Sequence, residues 1–164
     1  AFLRAGVSGA VLKWPNDVHV DGRKLAGVLC EAADGKPPAF VVGIGVNVNQ
    51  LAFDDELDQI ATSLAIVTGQ IIDRETLVAS LLSNLGLCFE AAWTSEEARQ
   101  ELLDRWCQCS STLGNRVSCP DEIVGTAVDL ESDGSLIVED EDSVRHRVIS
   151  GPLRELPRSD ERTD

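Results

Sequence analysis

Short runs of apolar residues at positions 11–14, 17–20, 24–32 and 39–47, each closed by turn residues, predict a meander of antiparallel strands. Pro15 limits the ladder between the first two runs. Asp21-Gly22 is a tight-turn dipeptide that returns the chain into the third. Asp34-Gly35 and Pro37-Pro38 turn it again into the fourth, where residues 40–46 are continuously apolar, as in a strand covered on both faces. Residues 48–58 are polar and acidic and read as a mobile loop. Residues 60–68 predict a short helix ended by Gly69. The period then becomes helical. Leu77, Leu81, Leu85, Phe89 and Trp93 recur every four residues, widened by Val78, Leu82 and Cys88, with Asp73 placed to cap the start. Thr94 with Glu97 has the form of a capping box for a further helix, in which Ala98, Leu102 and Trp106 share a face. Trp93 and Trp106 read as core. After Gly114, strands are expected at 116–119, 123–131, 135–139 and 144–149, with Asp133-Gly134 as a hairpin turn.

This pattern divides the chain into an α+β part over residues 1–112, a small β-barrel over 113–156 and a charged tail over 157–164, expected to be disordered. The chain opens on Ala1 and holds no methionine, as expected of a piece of a longer protein, and residues 1–7 read as the last turns of a helix. A formal net charge of −14 argues against a nucleic-acid surface, which needs clustered lysine and arginine. No apolar run is expected to reach the length of a bilayer crossing, so no membrane partner is expected. The five cysteines are odd in number and lack framework spacing, which points to a reducing cytoplasm. Cys107, Cys109 and Cys119 lack the second C-x-x-C or nearby histidine of a zinc site. His19 and His146 are single in sequence and read as surface or strand residues.

Chemistry concentrates in three segments: Lys13-Trp14-Pro15-Asn16-Asp17, Lys24-Leu25-Ala26-Gly27 and Gly43-Ile44-Gly45-Val46-Asn47. Lys13 and Lys24 are placed to converge from neighbouring strands. Fixed cations in a water-excluded site offset the repulsion between a carboxylate and a phosphate. Asp17 is a candidate magnesium ligand, since that ion takes one or two carboxylates together with phosphate oxygens. Asn16 and Asn47 offer amides to a purine edge or a phosphate. Gly27, Gly43 and Gly45 leave room for a flat ligand against the strands. Gly43-Ile44-Gly45 is not a dinucleotide fingerprint, because no G-x-G-x-x-G opens a helix there.

The same segments, extended to Lys24-Leu25-Ala26-Gly27-Val28-Leu29-Cys30-Glu31 and Val42-Gly43-Ile44-Gly45-Val46-Asn47-Val48-Asn49, resemble the successive motifs of biotin protein ligases. The resemblance extends over nearly the whole chain. It implies a class II synthetase-like α+β fold with packed helices and a partial mixed or antiparallel sheet, followed by an SH3-like barrel. It also implies a two-step reaction. Biotin and ATP give biotinyl-5′-adenylate and pyrophosphate, and a lysine of a biotin carboxyl carrier protein then takes the acyl group and releases AMP. By resemblance Lys24 meets the biotin carboxylate and the α-phosphate, and Lys13 adds charge at the phosphates. Asp17 holds Mg2+ or orients the acceptor amine. Asn16 and Asn47 serve the nucleotide, while Gly27, Leu29, Gly43 and Gly45 form the biotin pocket. The family's arginine- and glycine-rich loop has no match in residues 1–12, so these 164 residues alone are expected to be inactive. Alternatives are a lipoate or octanoate ligase or transferase, a biotin-operon repressor if a helix-turn-helix lies upstream, and a non-catalytic binding remnant. A homodimer through the sheet is compatible with the family.

Overall fold

The structure is a computed structural model and describes residues 6–33 and 39–157. The helix end read over residues 1–5, the turn over 34–38 and the tail over 158–164 lie outside the described residues; Gly6 and Val7 are not helical. The chain forms two compact units, one of Ala1–Val11 with Asn16–Phe89, the other of Leu12–Pro15 with Glu90–Asp164.

In the first unit, β2 (Asp17–Val20), β3 (Arg23–Ala33) and β4 (Ala39–Val46) pair antiparallel in that order. The β2–β3 turn uses Asp21 and Gly22, at φ 49° and 74°, the left-handed pair that a two-residue hairpin requires. Helices α1 (Asp55–Asp58), α2 (Leu64–Thr68) and α3 (Arg74–Thr94) follow. Ser63 caps α2 by accepting from the Ile66 N–H at 3.1 Å, and Gly69 closes it in the left-handed region. Asp73 caps α3, accepting from the Glu75 N–H at 3.1 Å and the Thr76 hydroxyl at 2.6 Å. The core is Val7, Val20, Leu25, Leu64 and Leu77.

The second unit contains α4 (Glu96–Gln108) and an antiparallel sheet of β5 (Arg116–Ser118), β6 (Val124–Leu130), β7 (Leu136–Glu139), β8 (Arg145–Val148) and β9 (Arg154–Glu155), ordered β8-β7-β6-β5-β9. Its core gathers Val117, Cys119, Ala127, Leu130, Leu136, Val138 and Val148, joined by Trp14 from β1 (Val11–Lys13) and its following turn. The Trp14 N–H donates to Thr112 Oγ1 and its indole N–H to the Gly134 carbonyl, both at 3.0 Å. Leu103, Trp106 and Cys107 of α4 pack against this core.

Several expectations need correction. Residues 40–45 are exposed and Val46 is half-buried, rather than covered on both faces, because β4 ends the sheet. Helix α3 starts after Asp73 as expected, yet of its stripe only Leu77 is buried. Leu82 and Phe89 are exposed, and Trp93 is 86% exposed rather than core. At 21 residues with a mean hydropathy of 1.3, α3 is long and apolar enough to cross a membrane by length and composition, contrary to the reading of the sequence. In this fold its apolar side instead meets Val42 and Ile44 around a 290 Å³ cleft lined also by Val78, Leu81, Leu82, Leu85 and Phe89. The N-cap of α4 is Ser95, accepting from the Ala98 N–H at 3.2 Å, because the Thr94 hydroxyl is spent on the Glu90 carbonyl at the end of α3. The loop over 48–58 contains α1 and is pinned by Asn49, whose amide exchanges two 2.9 Å hydrogen bonds with the Ile72 backbone. Ile60 closes a turn, Ala61 forms an isolated parallel bridge with Lys24, and the second helix begins only at Leu64.

Candidate active site

Antiparallel register decides which side chains share a face. The Asp21-Gly22 turn sets Lys24 opposite His19, with Asp17 two residues along β2, so these three side chains lie on one side of the hairpin. Between Val18 and His19 the register shifts: Val18 faces Ala26 and His19 faces Lys24, leaving Leu25 as an extra residue on β3. The bulge turns Leu25 into the core, fully buried, and reverses the alternation beyond it. Asp17 therefore faces Gly27, and the pairs Gly27–Gly45 and Leu29–Gly43 continue the same face. The opposite face carries the Val28–Ile44 and Cys30–Val42 pairs.

Other segments satisfy the backbone around the bulge. The Lys24 N–H donates to the Ile60 carbonyl at 2.8 Å, and the Lys24 carbonyl accepts from Thr62 N–H at 2.9 Å. The Leu25 carbonyl accepts from the Asn47 N–H at 3.0 Å, and the Asn47 carbonyl accepts from the Leu64 N–H at 2.9 Å. Asn16 Nδ2 donates to the Val28 carbonyl at 2.6 Å, and Asn47 Nδ2 lies 3.4 Å from the Lys24 carbonyl. Both asparagines thus brace β3 on either side of the lysine.

The result is an open groove of about 650 Å³, lined by Asn16, Lys24, Gly27, Leu29, Gly45 and Asn47 among others. Lys24 Nζ lies 2.6 Å from Asp17 Oδ1, and Asp17 Oδ2 lies 3.9 Å from His19 Nε2. Asp17 Oδ1 is shielded from solvent and receives no directed hydrogen bond, so the Lys24 ammonium is its neutralising contact. The lysine side chain is 47% exposed, which screens the pair and leaves the amine within reach of a bound anion. A half-exposed cation over a glycine floor, beside a hydrophobic edge at Leu29, suits a ligand with an apolar body and an anionic end. Lys13 closes β1, groups with the second unit and is not among the groove-lining residues.

The sequence profile of the "Biotin/lipoate A/B protein ligase family" matches residues 4–49, which hold this whole site, and that of the "Biotin protein ligase C terminal domain" matches residues 112–151. The chain belongs to the biotin protein ligase family. A biotin–[acetyl-CoA-carboxylase] ligase of Mycobacterium tuberculosis is 36% identical over 132 residues, 78% of this chain and 47% of that protein. The bifunctional ligase/repressor BirA of Bacillus spizizenii is 43% identical over 83 residues, 48% of this chain and 24% of that protein. The chain therefore spans about half or less of the length of these two relatives. The biotin protein ligase of Aquifex aeolicus, solved in complex with biotin and ATP, superposes with a TM-score of 0.80 at 28% identity, covering 94% of this chain and 65% of that one.

Within this biotin protein ligase fold, a magnesium ion at the groove would meet Asp17 as a single carboxylate beside the nucleotide's phosphate oxygens. No group of three or more His, Cys, Asp or Glu side chains able to hold a metal is found among the described residues. The carboxylate of Asp17 is engaged by an ammonium. Reading the sequence missed the Leu25 bulge, which an apolar run of this kind does not mark. It also missed the approach of His19 to Asp17, although two residues apart on one strand they share a face.

Proposed function

We propose that this chain supplies the adenylating groove of a biotin protein ligase. Biotin and ATP form biotinyl-5′-adenylate and pyrophosphate, and a lysine amine of a biotin carboxyl carrier protein then attacks the acyl carbon and expels AMP. The observation that carries this reading is the Lys24 amine, held by Asp17 over the Gly27–Gly45 floor. There a cation can bridge the two anions that must meet, the biotin carboxylate and the α-phosphate. Gly27, Leu29, Gly43 and Gly45 bound the space for biotin's apolar rings and chain. Asn16 and Asn47 stand at the nucleotide side, where their first task is to hold β3. Lys13 takes its role at the phosphates by resemblance alone. Asp17 serves as the counter-ion of Lys24 and, once that lysine turns to the ligand, as a carboxylate able to orient the acceptor amine. Mg2+ would come with the ATP phosphates rather than sit in a cage of these residues.

The domain reading follows the same lines, with catalytic residues in 1–112 and the C-terminal β domain in 113–156. The groove is open, and Leu29 at its edge is exposed, which supports the reading that these 164 residues do not by themselves enclose a ligand. The free cysteines fit a cytoplasmic location.

Biotin-dependent ATP–pyrophosphate exchange by the intact protein tests the proposal. Lys24→Ala is expected to lower the rate roughly 100-fold or more, the loss typical of removing one fixed charge-stabilising donor; full activity in that variant overturns the assignment. Lipoate is the competing substrate, since the profile over residues 4–49 is shared by biotin and lipoate ligases. The match of residues 112–151 to a biotin ligase domain favours biotin. Exchange driven by lipoate and not by biotin would reverse the choice.

A further inference from the structure

We propose that Gly27 is a positioning residue for Lys24, with a role distinct from that of the neighbouring glycines. A β-carbon at Gly27 would stand 3.1 Å from Asp17 Oδ1, 3.1 Å from Lys24 Cε and 3.1 Å from Lys24 Nζ. The space a side chain would take is already filled, and what fills it is the lysine–carboxylate pair. A β-carbon at Gly43 would meet only the Leu29 carbonyl oxygen at 3.8 Å, and one at Gly45 only the Gly27 carbonyl oxygen at 4.0 Å. Those two glycines leave room for a ligand. Gly27 leaves room for the protein's own amine.

The arrangement follows from the bulge. Leu25 brings Gly27 onto the face of Asp17 and directly opposite it in register, so the lysine arm crosses bare backbone on its way to the carboxylate. Any β-carbon there has to push the amine, the carboxylate or both aside by a few tenths of an ångström. The ends of a lysine and an aspartate are flexible, so the fold tolerates the shift; a reacting geometry does not. A displacement on the ångström scale, even away from the reacting bond, lowers rates by up to roughly 100-fold.

The inference rests on Lys24 as the amine that meets the ligand, and its test separates the two. In the intact protein, the Lys24 amine is methylated with 13C-formaldehyde and cyanoborohydride, and its rate is read by NMR against that of Lys13. This needs no ligand and no ligase activity. Gly27→Ala is expected to methylate at Lys24 about two- to fivefold faster than the parent, the range over which an exposed ion pair acts. In an Asp17→Ala background the same substitution is expected to make no difference, since the pair it disturbs is gone. An unchanged rate in Gly27→Ala, or an equal increase in both backgrounds, overturns the proposal. In pyrophosphate exchange, Gly27→Ala is expected to lower kcat roughly tenfold with KM for biotin within about twofold of the parent. A raised KM with kcat preserved would instead limit Gly27 to its place in the ligand floor and overturn its positioning role. Absence of exchange in the parent protein would sink the ligase reading and leave the methylation result standing.

Discussion

Gly45 and Trp14 show how differently single residues serve this molecule. Gly45 faces open groove, so Gly45→Val is expected to leave the melting temperature nearly unchanged and to cost ligand affinity about 1.4 kcal/mol, roughly tenfold in KM for biotin. A titration of exchange rate against biotin concentration reads this directly, and an unchanged KM would remove Gly45 from the pocket. Trp14 is buried, with both its nitrogens bonded. Trp14→Phe loses the indole bond to Gly134 and is expected to cost about 0.5–1.5 kcal/mol. Trp14→Ala is expected to cost about 3–5 kcal/mol, both measured by urea unfolding. The approach of Lys24 to Asp17 was legible from sequence by counting back from the Asp21-Gly22 turn, which fixes the face of each residue on a two-residue hairpin. The bracing of β3 by Asn16 and Asn47 was not, because an amide that reads a ligand and one that holds a carbonyl look the same in sequence.

Among the elements, turns and caps were the most legible parts, since their chemistry is local. Gly69 ends α2, Asp73 starts α3, and Gly134 sits at φ 84° in the β6–β7 turn, each as the sequence indicates. Ser63 caps α2 while donating to the Gln50 carbonyl at 2.5 Å, and α2 in turn donates to the Asn47 and Val48 carbonyls behind the lysine. Ser63→Ala is expected to cost about 1 kcal/mol in thermal or urea unfolding. The bulge on β3 was hidden because an extra strand residue changes no composition and only one register step. In the second unit, two turns are held by carboxylates. Asp133 is pulled below the ordinary aspartate value of 3.8 by the Ser135 hydroxyl and backbone N–H. Asp140 is pulled below the same value by the His146 ring, then by the Val144 N–H. A lowered carboxylate stabilises the fold above its unfolded pKa and loses that contribution as pH falls through its folded one. Unfolding of the second unit followed from about pH 6 to about pH 3 is therefore expected to show falling stability only at the acid end. Asp133→Asn with Asp140→Asn should flatten that slope, and a slope unchanged by both would assign acid sensitivity elsewhere.

For the whole molecule, sequence pattern located the elements well and their burial poorly. The apolar residues of β4 and α3 read as interior from periodicity, yet most of them are exposed, because periodicity carries a residue's character and not what lies against it. Phe40, Val41, Leu82 and Phe89 are each more than half exposed. Exposed apolar side chains of this sort drive association in water. The 164 residues expressed alone are expected to bind a hydrophobic dye and to self-associate in spite of a net charge of −14. Leu82→Lys with Phe89→Lys should reduce both effects in light scattering and dye fluorescence, and an unaltered monomer in the parent chain would show that this surface is covered.

The tryptophan of the first motif also has a place in time. Its indole N–H closes on a carbonyl 120 positions later in the chain, and its own N–H on a hydroxyl 98 positions later. A ribosome adding ~5–20 residues per second needs roughly 6–24 s to make the stretch between them. Throughout that interval the nascent chain carries a bare indole close in sequence to Asn16 and Asp17 of the future groove. Made early and seated late, Trp14 ties completion of the second unit's core to synthesis of the β6–β7 turn.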